Sequence, residues 1–177
     1  MKHAFIRPFS NGTPLALAVM VLALAGCGYS SQELYPTEYT TVAIPHFENR
    51  SDYAGVEFEL REALIKETEQ RTPYKVVATV GAAQTVLEVV VTDVQSDLVS
   101  RTETGGVSQE LELSVTIDYA WRDLRTGEII RGWYRGFTTT GQYVPLRQAG
   151  EFYQTAQHRA VQRMAQEVVD SMRGDGW

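Results

Sequence analysis

The sequence predicts an α+β fold: a mixed, largely antiparallel sheet of four to five strands with two helices packed on one face. Two observations support this fold class. Several segments are rich in β-branched and aromatic residues, and the clearest one alternates apolar and polar residues. Two other segments place apolar residues along one helical stripe. These segments follow the order β-α-β-β-β-β-α, and the length of 177 residues fits one domain.

The first 26 residues are expected to be a lipoprotein signal peptide rather than part of this fold. Lys2 and Arg7 make the start positive, and an uncharged apolar run of eleven residues follows at positions 15–25. A membrane-spanning helix needs about 20 apolar residues, whereas this run has the length of a signal-peptide core. It ends in the sequence Leu-Ala-Gly-Cys at 24–27. This pattern is typical of lipoproteins, in which small residues precede a cysteine that accepts diacylglycerol.

Cys27 is therefore the predicted lipid-attachment residue. It is the only cysteine in the chain, so no internal disulfide can form. Residue 28 is glycine and not the aspartate that retains many lipoproteins in the inner membrane, which favours an outer-membrane anchor with the protein facing the periplasm. Residues 27–39 are expected to be a lipidated tether, 40–173 the folded domain and 174–177 a C-terminal tail.

The domain is predicted to begin with a strand and a helix. Residues 40–47 are rich in β-forming residues, and Pro45 among them marks a bulge, an edge or the strand end because it has no N–H to donate. Residues 56–70 carry one apolar helical stripe. Pro73 ends that helix.

Four more strands and a second helix follow. A short strand is predicted at 74–78 and a long one at 85–100, in which the apolar residues change parity near Thr92 and so predict a β-bulge. Residues 110–121 alternate most regularly and predict a strand with one buried face. The last two predicted elements are a strand at 129–140 and a helix that follows Gly150 and extends to about Arg173.

No catalytic, metal or cofactor motif is present. The chain has three histidines, and His46 and His158 lie in different elements with no cysteine or carboxylate at ligand spacing. Glycine-rich nucleotide loops and the serine-hydrolase elbow are missing. We therefore expect neither an enzyme nor a bound metal or cofactor.

The charge of the chain argues against nucleic acid as a partner. The net charge is −6, and it becomes −8 when cleavage of the signal peptide removes Lys2 and Arg7. Proteins that bind nucleic acid or anionic lipid through charge carry clustered Lys and Arg. This chain has no such run.

Two arginine-containing segments are candidate contact surfaces. Arg122 and Arg125 lie near the turn before the last strand, and Arg101 begins a glycine-rich hairpin loop. Guanidinium groups bind phosphate or carboxylate, and the aromatic residues near this turn suit interfaces. Arg131 and Arg135 complete a predicted arginine cluster with Arg122 and Arg125, and its aromatic neighbours are Trp121, Trp133 and Tyr134. In the alternative interpretation the turn is merely solvated and its aromatic side chains belong to the core.

The order of several short motifs resembles the lipopolysaccharide-assembly lipoprotein family LptE. The motifs are Leu-Ala-Gly-Cys-Gly-Tyr at 24–29, Thr-Val-Ala-Ile-Pro at 41–45, Phe-Glu-Asn at 47–49, Gly-Val-Glu at 55–57 and Arg-Thr-Pro-Tyr-Lys-Val-Val at 71–77. The long hairpin and the C-terminal helix continue the resemblance, which covers nearly all of the mature chain.

This resemblance implies a function in the outer membrane. The protein would plug and help assemble the β-barrel LptD and assist lipopolysaccharide transport to the outer leaflet. The family is thought to contact lipopolysaccharide through basic loop residues, for which Arg101, Arg122 and Arg125 are the candidates. A different class also remains open: an outer-membrane lipoprotein that activates a periplasmic peptidoglycan synthase. A periplasmic hydrolase lacks residues to carry the reaction.

Overall fold

The computed structural model describes residues 34–101, 109–143 and 151–174. The predicted signal peptide and Cys27 lie outside these residues. Six strands and two helices are described: β1 Thr41–Ala43, β2 Glu48–Asn49, α1 Val56–Arg71, β3 Lys75–Val77, β4 Thr85–Arg101, β5 Gln109–Asp123, β6 Ile129–Tyr143 and α2 Glu151–Ser171. A short 3₁₀ turn at Val80–Ala82 precedes β4.

The strands form one mixed sheet in the order β3-β1-β4-β5-β6, and β2 also pairs with β4. The short strands pair in parallel, whereas β4, β5 and β6 are antiparallel. This confirms the predicted α+β class. The sheet has six strands instead of four to five because the predicted strand at 40–47 is shortened before Pro45 to β1, and an additional two-residue strand, β2, lies just beyond position 47.

Both helices lie on one face of the sheet and contact each other. The predicted stripe of α1 is buried, from Val56 through Leu60 to Leu64. So is the stripe of α2 from Ala156 to Met172, whereas the side chain of Phe152 lies outside the described residues. The core-facing side chains of the central strand β5 complete this core; they are Leu113, Val115, Ile117, Tyr119 and Trp121.

The predicted bulge in β4 is confirmed. The β4–β5 register shifts between Val91 and Asp93, and the hydroxyl of Thr92 donates to the carbonyl of Thr116 at 3.1 Å. The shift moves Val94 onto the core face opposite Val115, where it is buried.

Residues before Thr40, which were expected to belong to the tether, pack against the domain. Tyr35 is buried, the hydroxyl of Tyr74 donates to Pro36 O at 3.0 Å, and the amide of Gly174 donates to Leu34 O at 2.8 Å. In the described ranges, no helix has the length and apolar character needed to cross a membrane.

Candidate functional site

The long β4–β5 hairpin separates the two arginine-containing segments. Arg101 pairs with Gln109 at one end of the hairpin, whereas Arg122 pairs with Val86 near the other. Gln109 and Arg122 are thirteen residues apart along β5, or about 43 Å at about 3.3 Å per residue. Arg101 therefore shares no patch with Arg122 or Arg125, and its side chain lies outside the described set.

Arg122 is engaged within the protein. Its Nε and Nη2 donate to Glu88 Oε2 at 3.3 and 3.1 Å, and its Nη1 donates to the carbonyl of Gly127 at 2.9 Å. These contacts join β4, β5 and the turn that follows β5. Arg131 is directed elsewhere and donates to the carbonyl of Arg173 after α2. Arg122 and Arg131 therefore do not form the predicted arginine cluster.

Arg125 is the candidate that faces solvent, with 85% of its side chain exposed. Its nearest anionic partner is Asp123, whose Oδ2 lies 3.8 Å from Nη2. The guanidinium is therefore free to bind an external phosphate or carboxylate through several N–H groups.

The carboxylate of Asp123 holds this turn in place and is itself buried. It accepts hydrogen bonds from the backbone amides of Arg125 at 2.7 Å and Thr126 at 3.3 Å, and from the hydroxyl of Tyr39 at 3.2 Å. These donors, the Arg125 amide above all, hold the pKa of Asp123 below its ordinary value. An anion whose oxygens are taken up in this way positions the turn and is poorly placed for acid–base chemistry.

A cavity of about 520 Å³ lies beside this turn. Exposed Val80 and Leu124 contribute apolar surface, and Arg125 contributes a cation. The other lining residues are Glu38, Tyr39, Gly81, Ala83, Gln84 and Asp123. The lining therefore combines apolar surface with one guanidinium and the carboxylates of Glu38 and Asp123.

The aromatic residues near the turn divide between core and surface. Trp121 is buried against the rings of Tyr39 and Tyr74, with centroids 5.8 and 5.5 Å away. Tyr134 is 42% exposed and stacks on Tyr119 at 4.8 Å. Trp121 therefore belongs to the core, whereas the exposed Tyr134 is available for contact. The side chain of Trp133 lies outside the described residues.

A second surface, which was not predicted from the sequence, surrounds Phe58, a residue that is 60% exposed. Phe58 packs edge-on against His46 at 6.5 Å, beside a cavity of about 380 Å³. Arg61 lines the same cavity and donates from Nε to the carbonyl of Ile44 at 3.0 Å. The available signal was the position of Phe58 in α1, two residues after Val56 and off its buried stripe.

His46 and His158 lie in different parts of the fold. His158 in α2 contacts Glu59 of α1 through Nδ1 at 2.8 Å, and His46 lies against Phe58. Across the three described ranges, no three His, Cys, Asp or Glu residues are grouped so that they could hold a metal ion.

Comparison with known proteins gives a family match and remote structural similarities. The model of the lipopolysaccharide-assembly family LptE matches residues 39–173. No curated protein matches the chain significantly.

Three solved structures illustrate the structural similarity. Uncharacterized lipoprotein B from Nitrosomonas europaea is 22% identical (80% of this chain, 87% of that one, TM-score 0.46). A minor lipoprotein from Acinetobacter baumannii is 16% identical (75% and 91%, TM-score 0.46). PelC from Paraburkholderia phytofirmans is 13% identical (79% and 95%, TM-score 0.44). These similarities are too remote to indicate function.

Proposed function

Because the chain belongs to the lipopolysaccharide-assembly family LptE, we propose that it plugs and helps assemble an LptD-type β-barrel of the outer membrane. In this role it assists lipopolysaccharide transport to the outer leaflet. The observation that carries the proposal is the family match over residues 39–173, which spans every described strand and helix. The protein is anchored by lipid on Cys27, faces the periplasm and acts by assembly and positioning instead of catalysis.

The polar face of the sheet supports a place inside a barrel. The helices cover one face, and the other face of β4, β5 and β6 carries alternating polar side chains. They include Glu88, Asp93, Gln95, Glu112, Ser114, Thr116, Asp118, Arg122 and Thr138. Wide membrane barrels have polar interiors, so a small domain with such a face can fill one without exposing a large apolar surface to water.

The charges favour plugging over lipopolysaccharide binding as the principal role. Lipopolysaccharide is anionic, and the mature chain carries a net charge of about −8 after loss of Lys2 and Arg7. Among the candidate residues Arg125 is the best placed to contact a phosphate, because its side chain is exposed while that of Arg122 is bound to Glu88. Direct contact would therefore be local and would centre on the turn after β5.

Depletion of the protein in living cells tests this function. If it supports a barrel, depletion leaves the barrel misassembled and newly made lipopolysaccharide in the periplasm, and expression of the full chain restores both. The measurements are the folded fraction of the barrel on unheated gels and the surface labelling of lipopolysaccharide. Normal surface lipopolysaccharide together with altered peptidoglycan synthesis would contradict the proposal and favour an activator of a cell-wall synthase.

A further inference from the structure

Strand β6 is an edge of the sheet and is long. It spans Ile129–Tyr143, pairs with β5 on one side, and ends the strand order β3-β1-β4-β5-β6 within the described chain. The opposite edge consists of β3, which has three residues, of the two-residue strand β2, and of the part of β4 beyond Val91, which pairs only with β5 and carries the charged residues Asp93 and Asp97. A long edge presents a row of main-chain donors and acceptors to which another strand can bind.

Two contacts show which main-chain groups of β6 face outward. The carbonyl of Thr116 in β5 accepts from Thr92 of β4, so it points away from β6. Thr138 lies opposite Thr116, and their hydroxyls are 2.8 Å apart, as expected for a pair without main-chain hydrogen bonds. The N–H and C=O of Thr138 therefore point away from β5.

The second contact involves Thr140. Arg163 Nη1, on α2, donates to the carbonyl of Thr140 at 3.2 Å, so this carbonyl also faces outward. Main-chain directions repeat every second residue along a strand. Thr138, Thr140 and Gln142 consequently direct their amides to the open side.

Apart from Arg163, which binds the carbonyl of Thr140, residues 137–142 carry none of the usual protection against strand pairing. Exposed natural edges commonly carry lysine, proline or a bulge. The register between β5 and β6 shifts near Tyr119, where Gly136 of β6 has a φ of +65°. The regular part of the β6 edge therefore begins after Gly136. From Gly136 to Tyr143 the sequence is Gly-Phe-Thr-Thr-Thr-Gly-Gln-Tyr, which has no charge and no proline.

We propose that residues 137–142 of β6 bind an extended segment of the barrel partner by strand addition; this proposal rests on the function proposed above. The segment carries a carboxylate opposite Arg163, whose guanidinium lies at the edge over Thr140. A second copy of this chain fits worse, because two-fold antiparallel pairing centred on Thr140 brings two Arg163 guanidiniums together. Like charges placed opposite each other destabilise a strand pair.

Amide hydrogen exchange tests this pairing directly. The full chain is measured alone and in complex with its co-purified barrel, in the same detergent. We expect the amides of Thr138, Thr140 and Gln142 to exchange about tenfold or more slowly in the complex. The amide of Val115, in the centre of the sheet, serves as the internal control and should be protected in both samples.

The outcomes separate this inference from the proposed function. A captured barrel without protection of the three amides overturns the strand addition alone, whereas failure to capture any barrel overturns both. If the three amides are protected in the free chain and the chain forms a dimer, the strand partner is a second copy of the chain. That result also overturns the inference.

Thr140→Pro and Thr140→Val provide a matched pair of variants. Proline removes the outward N–H and leaves the pairing with β5 intact, since proline is tolerated at edges; valine keeps the N–H. We expect the proline variant to capture several-fold less barrel than the valine variant at an equal melting temperature. Equal capture by two folded variants contradicts strand addition, and if the proline variant unfolds, the exchange measurement decides.

Discussion

The backbone of Gly141 in β6 lies directly against the main-chain carbonyl of Ala156 in α2. A Cβ atom built on Gly141 would overlap the oxygen of Ala156 and crowd its carbonyl carbon. Only a residue without a side chain allows the helix to approach the strand this closely. The contact fixes the separation of α2 from the sheet, next to the hydrogen bond from the hydroxyl of Thr139 to the carbonyl of Ala160 at 2.9 Å.

Gly141→Ala should therefore destabilise the domain. Overpacking of a well-packed core costs about 1–3 kcal/mol, and here the obstacle is backbone, which cannot rotate away. Gly81→Ala is the control, because a Cβ at Gly81 has no heavy atom within 4 Å. Chemical denaturation measures both free energies of unfolding, and similar values would show that α2 moves without cost.

The ion pair of Arg122 with Glu88 should contribute to stability, whereas Arg125 should contribute less. Arg122→Glu places two carboxylates together and should lower the free energy of unfolding by about 1 kcal/mol, since both side chains are partly exposed. Adding Glu88→Arg restores the pair and should recover part of the loss. Arg125→Glu should lower the melting temperature less than Arg122→Glu, because the side chain of Arg125 is 85% exposed and its ion pair with Asp123 is long, at 3.8 Å. A shift as large as that of Arg122→Glu would contradict the assignment of Arg125 as a contact residue.

Asp123 should make stability depend on pH in the acidic range. Because its hydrogen bonds lower the pKa in the folded state, it contributes stability above the unfolded pKa of about 3.9. This contribution is lost as the pH falls through the folded pKa. The melting-temperature gap between the natural chain and Asp123→Asn should thus be widest near pH 6 and close below pH 4. Tyr39→Phe removes one donor and should give a smaller effect; a gap independent of pH would be the contrary result.

Much of the fold could be predicted because its signals are local. The apolar stripe from Val56 to Leu64 and the alternation along β5 each bury one face, and the parity change near Thr92 marks the bulge. Strand β2 was not predicted, because Glu48 and Asn49 lie beyond the predicted strand at 40–47 in a stretch typical of turns. They form a strand only by pairing with Val90 and Val91 of β4, which is a tertiary contact.

The candidate site was less predictable because exposure depends on tertiary partners. Arg122 and Arg125 look equivalent in the sequence, yet Glu88 from a neighbouring strand binds one and leaves the other exposed. The surface around Phe58 was not predicted because it depends on tertiary contacts. The position of Phe58 off the stripe predicts exposure, but only the fold places it beside His46 and Arg61.

Lipid attachment at Cys27 can be tested by substitution. Cys27→Ser removes the only thiol in the chain, so it should abolish incorporation of labelled palmitate and leave an unprocessed precursor. The natural chain, labelled in parallel, should incorporate the lipid and migrate at the processed size. Label in the Cys27→Ser protein would contradict the assignment of this residue as the anchor.

The association with a barrel is tested most directly by a pull-down of the tagged full chain from detergent-solubilised envelopes. Mass spectrometry identifies the captured proteins, and Thr140→Pro, measured beside the natural chain, reports on the proposed strand contact. We expect an outer-membrane β-barrel of the LptD type in near-stoichiometric amount, and less of it for the variant. Capture of a peptidoglycan synthase without any barrel would contradict it.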